Sequence, residues 1–148
     1  MNHNAAGRPI RVLVADDHQP FAEAVAFVLG SDGIEVVGHA WNGAEAVRLA
    51  GELQPDVVLM DVHMPELNGI EATRCIRTVQ HPPSVLMVSA STDPADVNAA
   101  RKAGAEAYLV KDFPSAELIE AVRAAAARPV APLCGGGAAP AFAAVFAA

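Results

Sequence analysis

Four short apolar runs in this sequence each end in residues able to do acid, metal or phosphoryl chemistry. Residues 10–15 run into Asp16 and Asp17, residues 57–60 into Asp61, residues 85–88 into Ser89, and residues 107–110 into Lys111. Taken singly, each has an ordinary explanation. An Asp after a strand is commonly a turn former, a Ser there commonly caps a helix, and a Lys is usually a solvated charge. The conjunction carries the weight, because one edge of one sheet would gather three carboxylates, a hydroxyl and an ammonium. Three crowded carboxylates repel one another and do not all stay ionised cheaply. A hard divalent cation such as Mg2+ resolves that conflict through oxygen ligands while keeping several of its waters. Phosphoryl transfer then needs a nucleophile, for which an Asp carboxylate suffices, and positive charge or donors for the phosphoryl oxygens. A metal, Lys111 and Ser89 supply the latter.

The elements that would position these groups are legible from periodicity. The apolar runs 10–15, 34–40, 57–60, 85–88 and 107–110 are short and rich in Val, Ile and Leu, as strands buried on both faces are. Between them lie helical stripes: Phe21, Val25, Val28 and Leu29; Ala46, Val47 and Leu53; Ile70, Thr73 and Ile76; Val97, Ala100 and Ala103; Leu118, Ile119 and Val122. Pro20, Asp93-Pro94 and Pro114-Ser115 mark helix starts, and Gly33, Gly69 and Gly104 punctuate loops. Five strand–helix units in succession predict an α/β fold, a doubly wound five-stranded parallel sheet with helices on both faces. In such a sheet functional groups collect beyond the carboxyl ends of the strands.

The boundaries read as an extension over residues 1–8, a domain over 9–128, and a low-complexity Ala/Gly/Pro tail over 129–148, expected to be disordered. Phe142, Val145 and Phe146 nevertheless fall at helical spacing within that tail. Composition narrows the function. The chain is 53% apolar and 18% charged, which suits a globular domain. Its net charge of −7 argues against direct nucleic-acid binding. Cys75 and Cys134 form no CxxC pattern, so a reducing cytoplasm is the expected setting. No membrane-spanning segment or signal peptide is seen.

The segments VLVADDH, VVLMDVHMPELNG, VLMVSAS and AYLVKD resemble, in order and spacing, the signature segments of bacterial two-component response-regulator receivers. The resemblance covers roughly residues 9–128, and the Lys111-Asp112 pair is similar to receivers of the helix-turn-helix output subfamily. It implies a flavodoxin-like fold with strand order 2-1-3-4-5. It implies Asp61 as phosphoacceptor, with Mg2+ held by Asp17 and Asp61, by the backbone carbonyl of His63, and by Asp16 through water. Ser89, Ala90 and Lys111 would bind the phosphoryl group, and Ser89 and Tyr108 would form the switch. A sensor histidine kinase is the implied phosphodonor, and a homodimer or a downstream protein the implied output partner. The domain would not be an enzyme acting on external substrates, since it would catalyse only its own phosphorylation and dephosphorylation. The alternative is a shortened DNA-binding regulator without its helix-turn-helix part, because no Lys or Arg follows Arg128. An aspartate-nucleophile phosphatase would place Asp-x-Asp after the first strand, and a nucleotide binder a Gly-rich loop there; ADDHQP offers neither. The His63 imidazole is not expected to bind Mg2+, Trp41 reads as a packing or surface aromatic, and Cys75 as a small buried hydrophobe.

Overall fold

The computed structural model describes residues 7–127 and the backbone of Ala143–Val145. Strands β1 (Arg11–Ala15), β2 (Glu35–Ala40), β3 (Val57–Asp61), β4 (Ser84–Ser89) and β5 (Ala107–Val110) alternate with helices α1 (Gln19–Ser31), α2 (Gly43–Leu53), α3 (Gly69–Arg77), α4 (Pro94–Ala103) and α5 (Ser115–Ala127). The strands pair in parallel in the order 2-1-3-4-5, as the sequence led us to expect.

Alternation along each strand splits the core in two. Leu13, Val58, Met60, Val85, Met87 and Tyr108 meet α2, α3 and α4 through Ala46, Ala50, Ala72, Ile76 and Ala100. Val12, Val14, Leu59, Leu86, Val88 and Leu109 face the other way, onto α1 and α5 through Val25, Leu29, Leu118 and Val122. Because β3 and β4 are covered on both faces, every one of their residues is buried. That explains their unbroken apolar runs.

The helices begin where local chemistry starts them. Asp93 accepts from the Ala95 amide ahead of α4, with Pro94 just inside the helix. Asn42 and Asn68 accept from the Glu45 and Glu71 amides and cap α2 and α3, signals the sequence reading passed over. His18 caps α1 through Nδ1.

Two expectations need correction. Cys75 is exposed, because it shares with Glu71 and Arg74 the outer face of α3, while Ala72, Thr73 and Ile76 take the inner one. The sheet also has a sixth strand, β6 (Ala143–Val145), pairing in parallel with β5 where the sequence showed none. These three residues are extended and not helical. An isolated turn of helix has little stability in water, whereas the free side of β5 offers ready backbone partners. Residues 1–6, 128–142 and 146–148 lie outside the described residues, and with them most of the expected tail. Among the described residues no helix is long and apolar enough to cross a membrane.

Candidate functional site

Parallel pairing puts the singled-out residues on one edge of the sheet. Ala15 pairs with Met60, Asp61 with Val88, and Ser89 with Val110, so Asp16, Asp61, Ser89 and Lys111 emerge side by side. Carboxylate oxygens of Asp16, Asp17 and Asp61 lie within 4.8 Å of one another. Lys111 Nζ stands 2.8 Å from Asp16 Oδ2 and 3.3 Å from Asp61 Oδ2. Asp16 is fully buried, Asp61 nearly so, and Asp17 is exposed, so the cluster opens to solvent on the Asp17 side. Three carboxylates against one ammonium leave a net negative pocket of hard oxygens.

Backbone amides hold the carboxylates in place. Asp16 Oδ1 accepts from the His18 amide at 2.8 Å, and Asp61 Oδ1 from the His63 amide at 3.3 Å. Asp16 Oδ2 has the Lys111 ammonium as ion-pair partner but receives no well-aligned hydrogen bond. The loop after Asp61 folds back so that the Gly69 amide donates to the Val62 carbonyl. A Cβ on Gly69 would sit 1.9 Å from the Asp61 carbonyl oxygen. The glycine is therefore required for close approach to the site. In this loop it is Glu66 that takes a positive φ, of 68°.

Burial raises the pKa of Asp61, the neighbouring charge of Asp16 raises it further, and Lys111 opposes both. For Lys111, burial alone would favour the neutral amine. The short 2.8 Å contact with Asp16 Oδ2 and the charges of Asp61 and Asp16 outweigh it, and the net shift is upward. The ammonium also lies 4.5 Å from the centre of the Phe21 ring, which stacks edge-on with Phe113. Phe21 entered the sequence reading only as part of an apolar stripe, and no local signal marks it as a wall of the site.

A second set of contacts leads away from the cluster. Tyr108 is fully buried and its hydroxyl donates to the Ser91 carbonyl. Burial raises its pKa, against hydrogen bonds with Ser89 and Ser91. The Ser91 amide donates to Ser89 Oγ, and the Ser91 hydroxyl to Asp96 at 2.6 Å. Asp96 also lies 3.4 Å from His63 Nε2, which brings the His63 imidazole beside the first turn of α4. Ala90 is exposed beside Ser89. Ser91 and Asp96 were not foreseen; the only sequence signal was Asp96 in the first turn of α4. His39 reaches the Asp16 carbonyl at 3.1 Å and packs against Trp41, which is partly exposed as expected.

Comparison with known proteins bears on the family and the fold. The family model described as "Response regulator receiver domain" matches residues 12–123. The transcriptional regulatory protein LiaR of Bacillus subtilis is 43% identical over 117 residues, covering 78% of this chain and 56% of LiaR. The chain thus spans about half the length of the curated relatives it matches. The signal receiver domain of the response regulator NarL from Mycobacterium tuberculosis superposes with a TM-score of 0.77 at 39% identity, covering 80% of this chain and 96% of that one. A CheX–CheY–BeF3–Mg2+ complex from Borrelia burgdorferi gives 0.75 at 26% identity, covering 80% and 90%. With the family model matching most of the chain, the strand order as expected and the acidic cluster at the sheet edge, this chain belongs to the response-regulator receiver family of two-component systems.

Proposed function

We propose that residues 9–128 form a phosphorylation-dependent signalling switch in the cytoplasm, with Asp61 accepting a phosphoryl group from a sensor histidine kinase or a small phosphodonor. The observation that carries this reading is the convergence of Asp16, Asp17 and Asp61 within 4.8 Å around the Lys111 ammonium. An Asp61 carboxylate oxygen attacks phosphorus, the bond to the donor's leaving atom breaks, and its electron pair departs with the donor.

The donor set fits Mg2+: all oxygen, net negative and open to water on one side. Asp17 and Asp61 would hold the ion with the His63 backbone carbonyl, and Asp16 through water. Bound there, Mg2+ neutralises charge on the phosphoryl oxygens. Lys111 exchanges its carboxylate partner for a phosphoryl oxygen, while Ser89 and the Ala90 backbone hold the others. Phe21 limits the directions the ammonium can swing. No external substrate is turned over.

The output follows from the contacts beyond the pocket. Ser89 is linked through Ser91 to both Tyr108 and Asp96, so drawing the Ser89 hydroxyl toward a phosphoryl group disturbs β5 and α4 together. Tyr108 is fully buried with its hydroxyl on the Ser91 carbonyl, and the change resets that hydroxyl's partner. The partner is a downstream protein or a second copy, not nucleic acid bound by this domain. A second reading makes this receiver the phosphoacceptor part of a transcriptional regulator. It is favoured by relatives such as LiaR, which carry that name and extend well beyond the matched region. Intact-mass measurement after incubation with Mg2+ and acetyl phosphate tests the central claim. The wild type gains one phosphoryl mass and Asp61→Asn gains none; equal labelling of both refutes the assignment.

A further inference from the structure

The sheet has two outer sides, and the sequence treats them differently. Beyond β1, β2 carries Glu35 and His39, and its register against β1 slips by one residue between Val12 and Leu13. Charge and irregularity are the usual means by which an edge discourages unwanted pairing. Strand β5, reading AYLV, has neither: it is uncharged, apolar and wholly buried. Without a neighbour it would present a row of unpaired backbone groups beside an apolar face, a template for another extended chain. In this structure Ala143, Ala144 and Val145 fill that place, paired in parallel with Ala107, Tyr108 and Leu109. Residues 129–148 contain no charged side chain to oppose the pairing.

Strand β5 is also tied directly to the candidate site. Its last residue is followed by Lys111, whose amide donates to the Ser89 carbonyl at 2.7 Å and whose ammonium spans Asp16 and Asp61. Tyr108, opposite Ala144, is tethered through its hydroxyl to Ser91. The strand that accepts β6 therefore carries Tyr108 and leads directly into Lys111, two of the groups that must readjust when charge arrives at Asp61.

We propose that the β5 edge is a strand-docking site held closed by the chain's own segment 143–145, and that phosphorylation of Asp61 releases this segment. The gating half rests on the function proposed above; the docking half does not. The energetic case is one of small, opposed quantities: a three-residue strand contributes few backbone bonds, so a modest shift of Lys111 and Tyr108 is enough to tip its occupancy. Release uncovers backbone donors and acceptors for an extended segment of a partner protein.

Residue-resolved amide exchange on the full chain tests this, comparing wild type with Ala144→Pro. Proline lacks the amide donor and is poorly tolerated within a paired strand. Those amides of Ala107–Val110 that face β6 should exchange severalfold faster in the variant, while amides of β1 and β3 keep their protection and report an intact fold. Beryllofluoride with Mg2+, a lasting mimic of the phosphoryl group, should produce the same loss in the wild type. Identical exchange in wild type and Ala144→Pro overturns the docking. Loss in the variant but none with beryllofluoride overturns the gating. Protection that depends on protein concentration places the strand on a second copy and overturns the intramolecular assignment. Failure of Asp61 to take a phosphoryl group, read separately by mass, refutes the function proposed above and leaves the Ala144→Pro comparison valid.

Discussion

Replacing Asp61 by Asn removes a charge that the fold holds against resistance. The Asp61 carboxylate has the Lys111 ammonium at 3.3 Å and the Asp16 carboxylate within 4.8 Å. At an effective dielectric constant of about 20, the first contact is worth about 5 kcal/mol of attraction and the second about 3.5 kcal/mol of repulsion. Asp17 lies equally near but is exposed, and water reduces its repulsion to about 1 kcal/mol. The charge terms thus nearly offset, and burial of the carboxylate decides the sign, which is why the Asp61 pKa is raised. A carboxyl whose folded pKa lies above its ordinary value of 3.8 contributes stability that is present below 3.8 and lost as pH rises through the folded value. Asp61→Asn should therefore stabilise the metal-free protein at pH 7 by about 1 kcal/mol, or about 4 °C in Tm for a domain of this size. The advantage should open as pH rises through the Asp61 pKa and vanish below 3.8. Thermal melts of both proteins in EDTA over a pH series measure this. Adding Mg2+ at ten times its Kd should raise wild-type stability by about 1.4 kcal/mol and that of the variant by less. An Asp61→Asn protein that melts below wild type in EDTA at pH 7 refutes the electrostatic account, and a wild type indifferent to millimolar Mg2+ refutes the metal site.

Other substitutions test separate links. Gly69→Ala should cost about 3 kcal/mol, because the new methyl meets the Asp61 carbonyl and not a flexible side chain; denaturant titration reads it. Ser89→Ala should still accept phosphate by intact mass but lose phosphate-dependent chemical-shift changes at Tyr108 and along α4. Lys111→Met leaves the buried Asp16 and Asp61 without their cation, so the variant should melt lower than wild type at pH 7 and recover part of that loss in acid. Ending the chain at residue 129 should leave Asp61 phosphorylation intact and lower Tm by no more than a few degrees, since all the strands and helices around the site precede that point.

Much of this architecture was legible in the sequence, and for a physical reason. Strands covered on both faces must be apolar throughout, so β3, β4 and β5 stand out as runs, and parallel pairing of consecutive strand–helix units leaves few topologies. Because all four follow strands of one parallel sheet, Asp16, Asp61, Ser89 and Lys111 could be placed on a common edge before any distance was known. Tertiary structure decided what depends on distance between segments remote in sequence. Phe21 lies against Lys111 because the start of α1 and the residues just after β5 come together at one edge of the sheet, and Asp96 joins His63 to Ser91 because α4 begins beside the loop after β3. The same holds for Cys75, whose side of α3 is chosen by packing, and for Gly69, whose need for a bare Cα arises only when its loop folds against Asp61. The sixth strand is the clearest case: nothing within residues 143–145 encodes a strand, and the pairing exists because β5 presents an unopposed edge to them.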